Sequence, residues 1–154
     1  MYLENRITVN ASMDSVFDLA VEIASWPDLL PHYRYVRIQR RIDDCTSEAT
    51  MSARRTFVPV RWVSIQTIDR AAGQIRYLHT GGVTTGMDVV WTFQPDAERV
   101  HVTIVHQLRR PRSILRVPFA PLIADKLFIS HIADRTLQGV KRQAEMQVSM
   151  REQA

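Results

Sequence analysis

Cysteine is almost missing from this chain: Cys45 stands alone among 154 residues. One thiol closes no intrachain disulfide and builds no cysteine metal cluster. Long apolar runs are missing as well. No stretch approaches the roughly 20 apolar residues that a membrane-spanning helix requires. The opening segment MYLENRITVN has no basic block followed by an apolar one, so no secretion signal is read there and cytoplasmic residence is the expectation. Repeats, low-complexity tracts and linkers are lacking too, which predicts one domain over residues 1–154.

Strong charge of one sign is also lacking. Lys and Arg total 20 against 16 Asp and Glu, giving a net charge of +4 and a pI near 9.7. Much of the excess sits in RRPRSILR, Arg109 to Arg116. A nucleic-acid partner would need a longer basic face and a docking motif. Neither is present, so no nucleic acid is expected. The five histidines show no ligand spacing, and neither a metal nor another cofactor is expected. The segment GGVTTG, Gly81 to Gly86, is not a phosphate loop, because no Lys-Ser/Thr pair follows and no helix begins there. Ser64 lies mid-strand without the strained elbow of a serine hydrolase.

What is present is periodicity. Leu3, Asn5, Ile7 and Val9 alternate as a strand does. NASMDSVFDLAVEIASW reads as a helix, with Ser12 as its cap, Asp14 at its positive end, an apolar stripe of Val16, Phe17, Leu19, Ala20 and Ile23, and Pro27 as its stop. Six strands follow. Period two places Val58, Val60, Trp62, Ser64 and Gln66 on one face. It likewise groups Ile75, Tyr77 and His79; then Met87, Val89, Trp91 and Phe93; then Val100, Val102, Ile104, His106 and Leu108. Turn residues in DRAAG and QPDAE join these runs as antiparallel hairpins. Gly81, Gly82 and Gly86 relax a strand end or bend. From Pro118 onward one long helix is predicted, with Pro118 and Pro121 in its first turn. Gly139 weakens that helix by about 1 kcal/mol relative to alanine, and is expected to let a strand come close.

The order strand, helix, six strands, long helix defines an α+β fold. A single antiparallel sheet with one wet face must cover the other, and the C-terminal helix is the element long enough to do so. A bent sheet gripping one helix leaves an apolar gap between them.

The segments VFDLAVEIASWPDLLPHYRYV, RWVSIQTID, GVTTGMDVVWTF and HIADRTLQGVKRQAE resemble the START-like helix-grip (SRPBCC) superfamily. They are most similar to its polyketide cyclase/dehydrase branch, which includes bacterial aromatase/cyclases and coenzyme Q-binding relatives. The resemblance runs from about Tyr2 to Ala144. It implies a curved sheet of about seven strands around a long C-terminal helix, with two short helices after the first strand. It also implies an internal cavity for a small hydrophobic ligand. Trp26 and Tyr33 fall where aromatase/cyclases place cavity aromatics, and Leu30 falls where a phenylalanine can stand. The alternative to a cavity wall is that Trp26 plugs the end of the core, and the wall is preferred. The expected lining continues through Val60, Trp62, Ser64 and Gln66, then Tyr77 and His79, then Met87 and Trp91, and His106. Gln66 occupies a position that is typically arginine in aromatase/cyclases; an amide offers a hydrogen bond but no fixed charge.

His79 and His106 are candidates for acid/base work, with Tyr33 or Tyr77 as hydroxyl partner, or else are histidines bonded within the core. His32 is expected at a solvated lip, and His101 and His131 at the surface. Arg61, Arg76, Asp88 and Gln107 take the outward parity. Three functions fit: cyclisation, dehydration or aromatisation of a polyketide-like substrate, binding of a lipid, quinone or other hydrophobe without conversion, and a membrane-linked or partner-binding module. The last rests on Arg109 to Leu122, where basic residues precede apolar ones. A loop over the pocket mouth is preferred there, because no full amphipathic helix precedes Pro118. A monomer or a homodimer is compatible with the sequence.

Overall fold

The computed structural model describes residues 1–108 and 126–154. The segment Arg109–Leu122, read as a loop over the pocket mouth in preference to a membrane contact, and the helix start at Pro118 and Pro121, lie outside the described residues.

Strand β1 (Tyr2–Val9) leads into helix α1 (Met13–Val21). Ser12 caps α1 as expected, its hydroxyl accepting from the Ser15 amide at 3.2 Å. The single helix expected up to Pro27 is instead broken. The backbone at Glu22 leaves helical space, a 3-10 turn covers Ile23–Ser25, and a short helix α2 runs Trp26–Leu29. Pro27 therefore sits in the first turn of α2 rather than stopping α1. A proline is tolerated in a first turn because its missing N–H has no intrahelical acceptor to lose.

Six further strands follow: β2 (Tyr33–Arg41), β3 (Thr46–Arg55), β4 (Val58–Asp69), β5 (Gln74–Gly82), β6 (Met87–Asp96) and β7 (Arg99–Leu108). They form one seven-stranded antiparallel sheet in the order β1-β7-β6-β5-β4-β3-β2. Burial alternates residue by residue along β5, β6 and β7, so the period-two reading of those strands holds. On β4 the reading fails at the outer end, where Val58 keeps an inward parity yet is 51% exposed. On β3 residues Ala49 to Ala53 are all buried, without alternation. On the outer face Arg76 forks onto Asp88 at 2.8 and 2.6 Å, as its outward parity implies. Gly82 has φ +90°, and a Cβ there would lie 2.5 Å from the Arg61 carbonyl oxygen, so this bend needs glycine.

Helix α3, described over Lys126–Glu152, packs across the concave face of the sheet. Its buried stripe includes Ile129, Ala133, Thr136, Leu137, Val140 and Ala144. Polar ties fix its register on β1. The Asn5 amide donates to Asp134 at 2.7 Å, and Lys141 donates to the Thr8 carbonyl at 2.6 Å. Gly139 admits Leu30, from the connection after α2, and not the strand that was expected. No described helix is long and apolar enough to cross a membrane.

Candidate functional site

The sheet register assembles the site. One cross-strand row runs Gln66, Tyr77, Val89, His106, Leu3. A parallel row pairs Ser64 with His79. Between these rows and α3 lies a cavity of about 80 Å³. Among the described residues, Trp26, Tyr33, Val60, Trp62, Met87 and Trp91 supply its apolar and aromatic wall. Tyr77, His79 and His106 supply its polar side, and Ile129, Ile132 and Thr136 close it from α3.

The aromatic wall is a connected stack. Trp26 meets Tyr33 edge-on at 5.1 Å and lies 5.8 Å from Trp91, while Trp62 stacks on His79 at 5.7 Å. Trp26 serves as wall and plug at once. Its ring lines the cavity, and its Nε1–H donates to the Leu19 carbonyl at 3.1 Å near the end of α1. Ring pairs of this kind contribute about 0.5–1.5 kcal/mol each beyond their buried area, so the wall is stiff.

The histidines are electrically unusual. Burial pushes the His79 imidazole down to about 3, and repulsion from His106 adds to it. Burial alone takes His106 down to about 4. Both rings are therefore neutral at neutral pH, each offering one donor and one acceptor. His79 Nδ1 is held 2.7 Å from the Thr84 hydroxyl, whereas His106 Nδ1 is buried with no hydrogen-bond partner. A buried polar atom without a partner costs about 1–3 kcal/mol, which a polar group brought by a ligand would recover. Tyr33, fully enclosed and hydrogen-bonded to Thr136, has its phenol raised by burial to about 12 and stays protonated. Burial raises the Tyr77 phenol further still, and Gln66 bonds it.

Three of the expected lining residues stand apart. Leu30, Ser64 and Gln66 are buried but do not line this cavity among the described residues. Leu30 turns to the opposite side and packs on Gly139. The Ser64 hydroxyl is enclosed without a partner. The Gln66 amide is consumed beneath α1, donating to the Val21 carbonyl and to the Tyr77 hydroxyl, both at 3.1 Å. His32 departs from expectation too. It is 5% exposed rather than solvated, because its ring is drawn under α3 to the Thr136 hydroxyl at 2.9 Å.

Sequence reasoning missed Thr84 and the role of Thr136. Thr84 lies in the β5–β6 turn, where no periodicity assigns a direction. Thr136 falls on the apolar stripe of α3, and a hydroxyl there is the one signal that marked it. It donates to the Ile132 carbonyl at 2.8 Å, lies 2.9 Å from His32 Nε2 and bonds the Tyr33 phenol.

Residues 9–127 match a family profile described as "Polyketide cyclase / dehydrase and lipid transport". A "putative polyketide cyclase" of Streptomyces cyaneus is 31% identical over 109 residues, covering 66% of this chain and 70% of that protein. A second protein of the same name, from Streptomyces halstedii, is 30% identical over 104 residues, covering 64% of this chain and 93% of its own length. Among solved structures, the Zhui aromatase/cyclase from Streptomyces sp. R1128 superposes with a TM-score of 0.82 at 19% identity, covering 96% of this chain and 95% of that one. A START superfamily protein from Mycobacterium smegmatis gives 0.72 at 13% identity, covering 94% and 97%. At these identities the structural matches establish the helix-grip fold.

Proposed function

We propose, for a chain that belongs to the polyketide cyclase / dehydrase and lipid transport family, that its cavity binds a small hydrophobic, polyketide-like ligand and that His79 and His106 act on it as neutral acid/base groups in cyclisation with loss of water. The observation that carries this reading is the pair of buried, uncharged imidazoles on an otherwise apolar aromatic cavity. The cavity, at about 80 Å³, takes the reacting segment of a ketone-bearing chain against Trp62 and Trp91 and not the whole chain. One imidazole takes a proton from a methylene between two ketones, and the resulting enolate carbon bonds to a ketone carbon further along the chain. The imidazolium returns its proton to the new alkoxide, and elimination then releases water. The low basicity that burial imposes does not prevent this, because the enolate formed beside the ring gives the imidazolium a counter-charge. Thr84, at 2.7 Å, orients the His79 ring.

A second reading, binding without conversion, draws on Gln66. Among the described residues the cavity lining holds no lysine or arginine, and the amide of Gln66 is already spent on Val21 and Tyr77. Among the described residues, then, no fixed positive charge faces an enolate in this cavity.

One experiment separates the two. His79→Gln and His106→Gln are each assayed with a poly-ketone thioester mimic for product and for affinity. Acid/base work predicts turnover reduced by about 100-fold or more with affinity within a few-fold. Tight binding by the unaltered protein with no product at any pH removes the enzymatic reading and leaves the carrier.

A further inference from the structure

A second concavity, of about 520 Å³, lies on the opposite side of the His32 segment and shares no described lining residue with the cavity. Three elements converge on it. Arg54 and Phe57 come from the end of β3 and the turn after it, His32 from the connection after α2, and Arg135, Gln138 and Arg142 from α3. Arg135 and Arg142 stand seven residues apart, so they share one helix face about 10 Å from each other. The Arg54 amide donates to the His32 carbonyl at 2.8 Å, which pins the strand end against the same wall.

The groove is electropositive with nothing in it to balance the charge. No Asp or Glu is among its described lining residues. None of its three arginines takes part in an ion pair among the described residues, although seven pairs between Lys or Arg and Asp or Glu form elsewhere. The field is felt locally. The His32 ring is held down to about 4, by burial first and by repulsion from Arg135 next. Guanidinium forks match the oxygens of phosphate, and several of them converging select it over a lone carboxylate. Beside them Phe57 is 92% exposed, an aromatic face left in water where an organic arm would cover it. The volume falls within the roughly 300–1,000 Å³ of small-molecule sites.

We propose that this groove is a binding site for a phosphate-bearing group, gripped by Arg54, Arg135 and Arg142 with its organic portion against Phe57. The site does not depend on what the inner cavity does. It does touch that cavity through one hydrogen-bonded wall, His32 to Thr136 to Tyr33, with His32 facing the groove and Tyr33 the cavity.

The test titrates inorganic pyrophosphate into the full chain by calorimetry and follows the histidine ring signals by NMR. Saturable binding that shifts His32 and spares His101, which is engaged with Asp96 at the far end of β7, is the expected result. The double variant Arg135→Gln/Arg142→Gln should weaken that binding by about ten-fold or more, since each lost charged hydrogen bond is worth at least that factor. Both residues are exposed, so the fold is expected to persist, and a thermal melt checks it. Vesicles of phosphatidylglycerol in phosphatidylcholine identify the source. Co-sedimentation that the double variant and Phe57→Ser both abolish assigns a lipid headgroup, and pyrophosphate binding without co-sedimentation assigns a soluble phosphate ester. The proposal is overturned if neither probe binds. It is equally overturned if the double variant binds within about two-fold of the native chain, because that reports only general attraction to a basic protein.

Discussion

Gly139 and Leu30 form the tightest packing relation that the fold offers for a test. A Cβ added at Gly139 would stand 2.1 Å from Leu30 Cδ2 and 3.6 Å from its Cγ. Carbon atoms in contact prefer about 3.5–4.0 Å, so the added methyl cannot be accommodated in place. Leu30 is 1% exposed, and to make room its side chain must leave a packed position beside the groove that it borders. Two effects then oppose each other in Gly139→Ala. Helix propensity gains about 1 kcal/mol. Overpacking a filled core costs about 1–3 kcal/mol. The second wins, and the variant is expected to lose up to about 2 kcal/mol by this difference. Leu30→Ala alone should cost about 2–5 kcal/mol through the void it leaves. In that background the clash is gone and only the propensity term remains, so adding Gly139→Ala should stabilise by up to about 1 kcal/mol. The effect of one substitution thus changes sign with the other. The coupling is read from urea melts of the four proteins, with m-values checked for constancy. If Gly139→Ala stabilises the native background, or acts equally in both, then Leu30 does not pack on this helix and the described lip is misplaced.

Trp91 is 3% exposed and rings with Trp26, Tyr77 and Phe93, so Trp91→Ala should cost about 3–5 kcal/mol; a loss below about 1 kcal/mol would mean that β6 does not face α3. Three buried imidazoles make stability depend on pH. His32, His79 and His106 are held to about 4, 3 and 4, against 6.5 in the unfolded chain. Above pH 6.5 they are largely neutral in both states and add no pH dependence. Below it the unfolded chain takes up protons that the folded chain refuses, so stability falls as pH falls toward 4, by up to about 1.4 kcal/mol per unit per group. Urea midpoints at pH 7 and pH 5 should differ accordingly, and His32→Gln should flatten the profile by one group's share. A midpoint independent of pH across that window would refute the burial of these rings in neutral form.

Much of this architecture was legible because strands speak through alternation. On β5 to β7 each inward residue is buried and its neighbours are not, and one wet face makes that contrast sharp. Parity groups Tyr77, His79, Met87, Trp91 and His106 on inward faces, the family resemblance makes those faces a cavity lining, and all five border the cavity. Parity gives the face of the sheet but not the position along it. Ser64 and Gln66 share the inward face with Trp62, yet Gln66 falls under α1, where backbone carbonyls of Ala20 and Val21 gather its neighbourhood's hydrogen bonds. That location depends on where α1 breaks, at Glu22, and a continuous apolar stripe from Val16 to Ile23 gives no sign of the break. His32 was misread for a similar reason. Its neighbours are prolines, tyrosines and arginine, which suggest a surface lip, whereas its burial is decided by Thr136, over a hundred residues later in the chain.

The position of Gln66 also bears on what chemistry the cavity permits. A guanidinium at that point would stand among carbonyls rather than carboxylates, and carbonyl dipoles alone compensate a buried charge poorly. The glutamine instead satisfies Val21 and Tyr77 with neutral bonds, at about 0.5–1.5 kcal/mol net each. Charge arising on a ligand in this cavity is then met by imidazoles whose own cations burial disfavours. An isolated enolate is costly there, and so is an isolated imidazolium. The two formed together, in contact and away from water, attract each other far more strongly than they would in solvent. Any proton transfer in this cavity must therefore be direct, ring to ligand, with no separated ions on the way. A ligand held even one water layer from His79 or His106 would be bound and left unchanged. Catalyst and carrier thus differ in this fold by the depth at which the ligand seats against the two histidines.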